Sequence, residues 1–92
     1  MYYFTYVLQS QKDSSFYIGW TNNLKHRLHQ HNNGKVQATK PKIPYKLIYS
    51  EICLSQKDAI LREKSLKTGF GRKYIKNRLK NYLTDIISPS SL

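Results

Sequence analysis

The sequence predicts a small α+β (mixed α/β) domain, with a three-stranded antiparallel or mixed sheet flanked by helices in the order β-β-α-β-α-α. Three observations carry that prediction. Aromatic and β-branched residues alternate over residues 2–8, 16–20 and 45–53, the period of a half-buried strand. Leu24, Leu28 and His31, then Ala59, Ile60 and Leu66, recur at helical spacing between and after those runs. The length of 92 residues fits one domain, and a 39% hydrophobic fraction with eight Tyr, three Phe and one Trp supplies a core.

The elements follow in order. Tyr2, Phe4, Tyr6 and Leu8 share one strand face, with Tyr3, Thr5 and Val7 on the other. Residues 9–15 (QSQKDSS) are turn material, so the first two strands form a hairpin. If its register pairs Leu8 with Tyr17, Tyr6 falls opposite Gly19. Thr21 or Asn22 is expected to cap the first helix, and Gly34 to end it. Residues 35–44 hold Pro41, Pro44 and several lysines and read as an exposed loop. Ser55 caps a second helix with Asp58 near its start, and Gly69 closes it. From Phe70, the residues Tyr74, Ile75, Leu79, Tyr82 and Leu83 line one helical face, expected to complete the core. The domain is expected to occupy residues 1–83, and residues 84–92 to form a flexible C-terminal tail.

Charge narrows the function. Sixteen Lys+Arg against five Asp+Glu give +11. The excess is spread: six basic residues and no acid from Lys25 to Lys46, eight basic residues and one acid from Arg62 to Lys80. A field of that sign and extent is the footprint of a polyanion partner. A single cysteine, Cys53, excludes a disulfide framework and a multi-cysteine zinc site, and fits a reducing, cytoplasmic setting. The longest apolar run is the four residues 1–4, so no membrane span and no membrane partner are expected.

Some residues stand where a core-building pattern would not put them. Glu63 falls inside the buried stripe of the second helix, where a carboxylate needs a cationic partner or a metal ion. His31 shares the apolar face of the first helix, where a lone histidine is more often a satisfied core residue than a catalytic one. Gly19 interrupts a strand, a mark of close approach by a ligand or another chain segment. His29 and His31 diverge on a helix, which rules out a zinc pair. Five scattered carboxylates do not assemble a two-metal nuclease, and there is no Ser/His/Asp set, P-loop or dinucleotide fingerprint. Hydrolysis here would have to use one carboxylate, tyrosine, arginine and histidine.

That set, in that order, resembles the GIY-YIG nuclease superfamily. Tyr17-Ile18-Gly19 matches the second signature triplet, and Phe4-Thr5-Tyr6 stands for the first with only its tyrosine kept. Arg27 and His31 stand on the following helix, and Leu61-Arg62-Glu63-Lys64 with Lys67 resembles the segment carrying the family's metal-binding glutamate. Asn77 is the candidate for the family's late asparagine. The resemblance spans residues 2–83 and is nearest to small single-domain members akin to the excinuclease nuclease domain, which ties it to DNA repair.

The resemblance implies a metal-dependent endonuclease acting on DNA ahead of RNA, branched, flapped or single-stranded. Glu63 would hold one Mg²⁺ or Mn²⁺ and Arg27 would pair with the scissile phosphate. Tyr6 or Tyr17 would orient or deprotonate water, with help from His31. Gly19, Lys35, Lys40, Lys67, Lys73 and Lys76 would contact substrate, and Trp20 and surface tyrosines could stack on bases. The competing expectation is a basic nucleic-acid-binding module on the same fold without turnover.

Overall fold

The computed structural model describes residues 1–87. β1 (Tyr3–Ser10) is the central strand, paired with β2 (Phe16–Thr21) on one side and β3 (Tyr45–Cys53) on the other. Both pairings are antiparallel, so the expected α+β class holds with a purely antiparallel sheet. The hairpin register is the one the sequence suggested: Tyr6 opposes Gly19 and Leu8 opposes Tyr17. A bulge between Val7 and Leu8 in the pairing with β3 leaves Ile48 as an extra residue. Leu47 thereby joins the Tyr6–Leu8 face, while Ile48 and Tyr49 pack with Val7.

Each sheet face is covered by helices. α1 (Leu24–Asn32) lays Leu24 and Leu28 against Tyr6, Leu8 and Tyr45. On the opposite face, Leu66 of α2 (Gln56–Leu66) and Ile75 of α3 (Gly69–Arg78) close over Val7 and Ile18. α2 is fastened to the sheet by a Thr5 hydroxyl donating to the Ala59 carbonyl at 2.9 Å. Arg62 adds a two-pronged contact to Glu51 of β3, at 2.8 and 2.9 Å. Burying these two faces is the main force holding the layers together.

Three expectations about helix ends need correction. Asn23, rather than Thr21 or Asn22, caps α1, its side chain accepting from the His26 amide at 3.1 Å. Thr21 instead braces the turn through bonds with Asn23. Ser55 holds the cap position of α2, but its hydroxyl makes no capping bond. Gly69 opens α3 instead of closing α2, with Thr68 as the cap.

The expected continuous helix from Phe70 to Leu83 breaks at Leu79, and α4 (Lys80–Ile87) follows as a separate helix. Its face is not the expected one either: Gly71 and Ile75 turn inward while Phe70 and Tyr74 are exposed. Gly71 decides this, because a Cβ there would collide with the backbone of Ser65 and Leu66. Only glycine lets α3 approach α2 on that side. The expected tail begins at 84, which α4 includes as far as Ile87; residues 88–92 lie outside the described part of the chain. No helix among the described residues is long and apolar enough to cross a membrane.

Candidate active site

The structure brings four of the five expected catalytic residues to one place, on the α1 face of the sheet. Tyr6 points from the middle of β1 and is 1% exposed. Its ring lies directly over Gly19: a Cβ at that position would fall 2.5 Å from the hydroxyl oxygen. The close approach that the strand glycine signalled is therefore made by Tyr6, and Gly19 itself is buried under it rather than offered to a ligand. The Tyr6 hydroxyl meets His31 Nε2 at 2.8 Å, and the ring of Tyr17 stands edge-on to His31 with centroids 5.0 Å apart.

His31 is fully buried at the end of α1. Its second nitrogen, Nδ1, lies 2.8 Å from the Thr39 hydroxyl, which donates its own proton to the Val36 carbonyl at 3.3 Å. Thr39 can then only accept from the ring, so Nδ1 carries the hydrogen and Nε2 presents a lone pair. Tyr6 consequently donates to His31. Burial, reinforced by the Arg27 guanidinium, lowers the His31 pKa to about 4, so the ring is neutral at physiological pH. Burial pushes the Tyr6 phenol up, against the pull of the adjacent Arg27 charge.

Thr39 is the residue sequence reasoning missed. Residues 35–44 read as an exposed loop, and most of them are exposed, but Thr39 is completely buried beside His31. Nothing in a lysine- and proline-rich stretch signals one buried hydroxyl. The loop is drawn inward at its ends: the Asn32 side chain bonds the Tyr45 backbone twice, at 2.9 and 2.6 Å. The Lys40–Lys42 helical turn then carries Thr39 under His31.

Arg27 projects from α1, bonds Gln30 at 3.3 Å and reaches the field of both Tyr6 and His31. Glu63 approaches from α2 and also acts on the Tyr6 phenol through its charge. Its carboxylate is half-buried and pairs with Lys67 at 2.7 Å, while the Lys67 side chain is 52% exposed. The stripe that was to surround Glu63 is therefore only partly closed: Ala59 and Leu66 are buried, Lys67 is not.

A cleft of about 490 Å³ opens where the β1–β2 turn faces α3, lined by Tyr17 and Ile18, Ser14 and Ser15, Lys67, Arg72 and Lys76. The turn is held by Asp13, whose carboxylate accepts from the Ser15 amide and hydroxyl at 3.0 and 2.6 Å. Tyr17 is the tyrosine that lines this space, whereas Tyr6 is buried and does not reach it. Lys35 and Lys40 are exposed on the loop beyond α1, and Lys73 and Asn77 lie on the outer side of α3. These four are outside the tyrosine–histidine cluster.

The donor set for a metal is small. Among the described residues no three His, Cys, Asp or Glu side chains converge. A lone carboxylate suits a hard divalent cation that keeps most of its water and shares phosphate oxygens. Glu63 fits that description, because its one cationic partner among the described residues is Lys67, a half-exposed lysine that can swing away.

Comparison with known proteins gives the family and the fold. Residues 2–76 match the GIY-YIG catalytic domain family. The chain is 37% identical over 90 residues to the UPF0213 protein CPE1444 of Clostridium perfringens, covering 97% of this chain and 86% of that one. It is 45% identical over 64 residues to a UPF0213 protein of Limosilactobacillus reuteri, covering 66% of each. The solution structure of the UPF0213 protein BH0048 from Bacillus halodurans shares the fold with a TM-score of 0.52, at 24% identity and 84% coverage of both chains.

Proposed function

This chain belongs to the GIY-YIG catalytic domain family, and from that membership we propose that it is a metal-dependent endonuclease that hydrolyses phosphodiester bonds in nucleic acid, DNA ahead of RNA. The observation that carries the reading is the convergence of Tyr6, Tyr17, Arg27 and His31 on the α1 face of the sheet, where Tyr17 also lines a basic cleft and the charge of Glu63 acts on Tyr6. A domain that only bound nucleic acid would need the lysines. It would not need a buried tyrosine hydroxyl aimed at a neutral imidazole lone pair, an arrangement that costs burial of polar groups.

The residues divide the work as follows. Arg27 binds the scissile phosphate, its planar fork matching two phosphate oxygens and the charge that grows on them. Tyr17, open to the cleft, contacts and orients the attacking water. Behind it, Tyr6 donates to His31 Nε2, and His31 stays neutral with its other nitrogen fixed by Thr39. Tyr17 is the tyrosine placed to take a proton from that water, and the Tyr6–His31–Thr39 chain fixes the side chains packed against it. Glu63 would hold the Mg²⁺ or Mn²⁺, which supplies Lewis-acid stabilisation of the phosphate and leaving oxygen when bound. Lys35, Lys40, Lys67, Lys73 and Lys76 draw in the flanking phosphates, and Gly19 serves the site by admitting the Tyr6 ring.

The test is cleavage of labelled single-stranded, flapped, branched and duplex DNA and RNA in Mg²⁺, Mn²⁺ or EDTA. The proposal expects cleavage of at least one substrate with metal and none with EDTA. Tight, salt-dependent binding with no cleavage of any substrate would instead support the binding module.

A further inference from the structure

Phe70 is 90% exposed at the start of α3, with Tyr74 one turn on and 41% exposed. Phe70 serves no part of the core, since α3 buries Gly71 and Ile75 instead, while Tyr74 stands edge-on to Tyr49 with Arg62 over its ring. At 100° per residue, the order around the helix from the buried side is Ile75, Arg72, Lys76, Lys73, then Phe70 with Tyr74. Arg72 and Lys76 line the cleft that holds Tyr17. Lys76 and Lys73 line a second cleft, of about 540 Å³, together with Phe70 and Tyr74. Lys76 belongs to both, so one cationic arc joins the candidate active site to an aromatic ridge. No acidic residue occurs between Glu63 and Asp85.

We propose that α3 is a platform for an unpaired strand of the nucleic-acid substrate, which leaves the active-site cleft across Lys76 and Lys73 and stacks a base on Phe70 beside Tyr74. The assignment rests on the nuclease reading only in taking nucleic acid as the ligand. Charge decides the occupant. Arg72, Lys73 and Lys76 make no ion pair among the described residues, and a partner covering Phe70 must sit among them. A single strand brings both a base plane for the ring and phosphates for the lysines. A duplex brings the phosphates alone, because its base faces are already stacked. The surface therefore selects unpaired over paired nucleic acid.

Binding is measured in EDTA with three fluorescein-labelled ligands: a short oligothymidylate, a strand of the same length built of abasic sites, and a hairpin duplex. Phe70→Ala is expected to weaken oligothymidylate binding about tenfold and to leave the abasic strand unaffected. Phe70→Trp should restore the affinity, and the new indole fluorescence should be quenched by oligothymidylate but not by the abasic strand. Lys73→Ala with Lys76→Ala should weaken all three ligands alike. Equal affinities of wild type and Phe70→Ala for oligothymidylate would overturn the proposal, as would equal loss on the abasic strand. Cleavage plays no part in these readings. Absent stacking with cleavage intact overturns this proposal alone, and stacking without cleavage overturns the nuclease reading alone.

Discussion

The Tyr6 hydroxyl and the Thr39 hydroxyl hold opposite edges of the His31 ring, each at 2.8 Å, and all three side chains are sealed from water. The loop residue sets the direction of the pair. Because Thr39 spends its proton on the Val36 carbonyl, His31 must donate at Nδ1 and accept at Nε2. A strand tyrosine is thus made a donor by a residue on the other side of the ring that touches no substrate.

Thr39→Val keeps the shape of the side chain and removes the acceptor. A buried Nδ1–H left without a partner costs ~1–3 kcal/mol, and the ring gains freedom to take the other tautomer. Denaturant unfolding should show that loss, and cleavage should fall with it. Thr39→Ser keeps the acceptor and should stay near wild type in both measurements. Wild-type cleavage in Thr39→Val would show that the tautomer of His31 does not matter.

Gly19→Ala tests the contact between β2 and Tyr6. The added Cβ would stand 2.5 Å from the hydroxyl and 2.7 Å from the ring carbon that bears it. The ring end would move readily were it free, but it is tied to His31 and buried. Relief requires breaking that bond, so the expected cost is ~1–3 kcal/mol in stability, with a loss of cleavage. A melting curve and a cleavage rate on the one variant check both.

The pH dependence of stability follows from His31. Its pKa is about 4 in the fold against 6.5 for the free side chain. Between these values the unfolded chain takes up a proton that the folded chain refuses. The contribution is fully present above pH 6.5 and shrinks as pH falls toward 4. That amounts to roughly 2 kcal/mol lost between pH 7 and pH 5. Glu51, whose pKa is lowered mainly by its bonds from Arg62, loses stability in the same direction but in the more acidic carboxylate range. Unfolding of wild type and His31→Gln across pH 5–7 should therefore differ in slope, with the variant flatter. Equal slopes would show that the histidine is not held neutral.

Two glycines of one turn should behave oppositely. Gly71 faces the backbone of α2, and Gly71→Ala should cost several kcal/mol, since backbone atoms cannot step aside. Gly69, with nothing near its missing Cβ, stands at the first position of α3. Gly69→Ala should be neutral or stabilise by ~0.4–1 kcal/mol, by restricting the unfolded chain. Melting temperatures of the two variants settle the comparison.

These pairs also mark where sequence is legible. Strand alternation showed the two strands of the hairpin, and with Leu8 paired to Tyr17 it put Tyr6 opposite Gly19, the register observed, since a slip of one would bury the wrong face. Leu24, Leu28 and His31 were readable for the same reason at helical period. The α3 face was misread because apolar periodicity favoured Phe70 and Tyr74, while the packing is decided by what α2 can approach, and that is Gly71. Helix ends shifted by a residue or two, as at Asn23 and Gly69, since several neighbours compete for one cap. Thr39 was illegible: its role comes from the path of a loop, and a loop's path carries no period.

Glu63→Gln on one cleavable substrate tests the central claim most directly. Lys67 is half exposed and free to swing into solvent, and Glu63→Gln keeps the shape of the side chain, so the melting temperature should hardly change. Binding in EDTA should be equal or slightly tighter, one negative charge having left a basic surface. Cleavage in Mg²⁺ or Mn²⁺ should disappear. Cleavage at the wild-type rate by a folded Glu63→Gln protein would contradict the account.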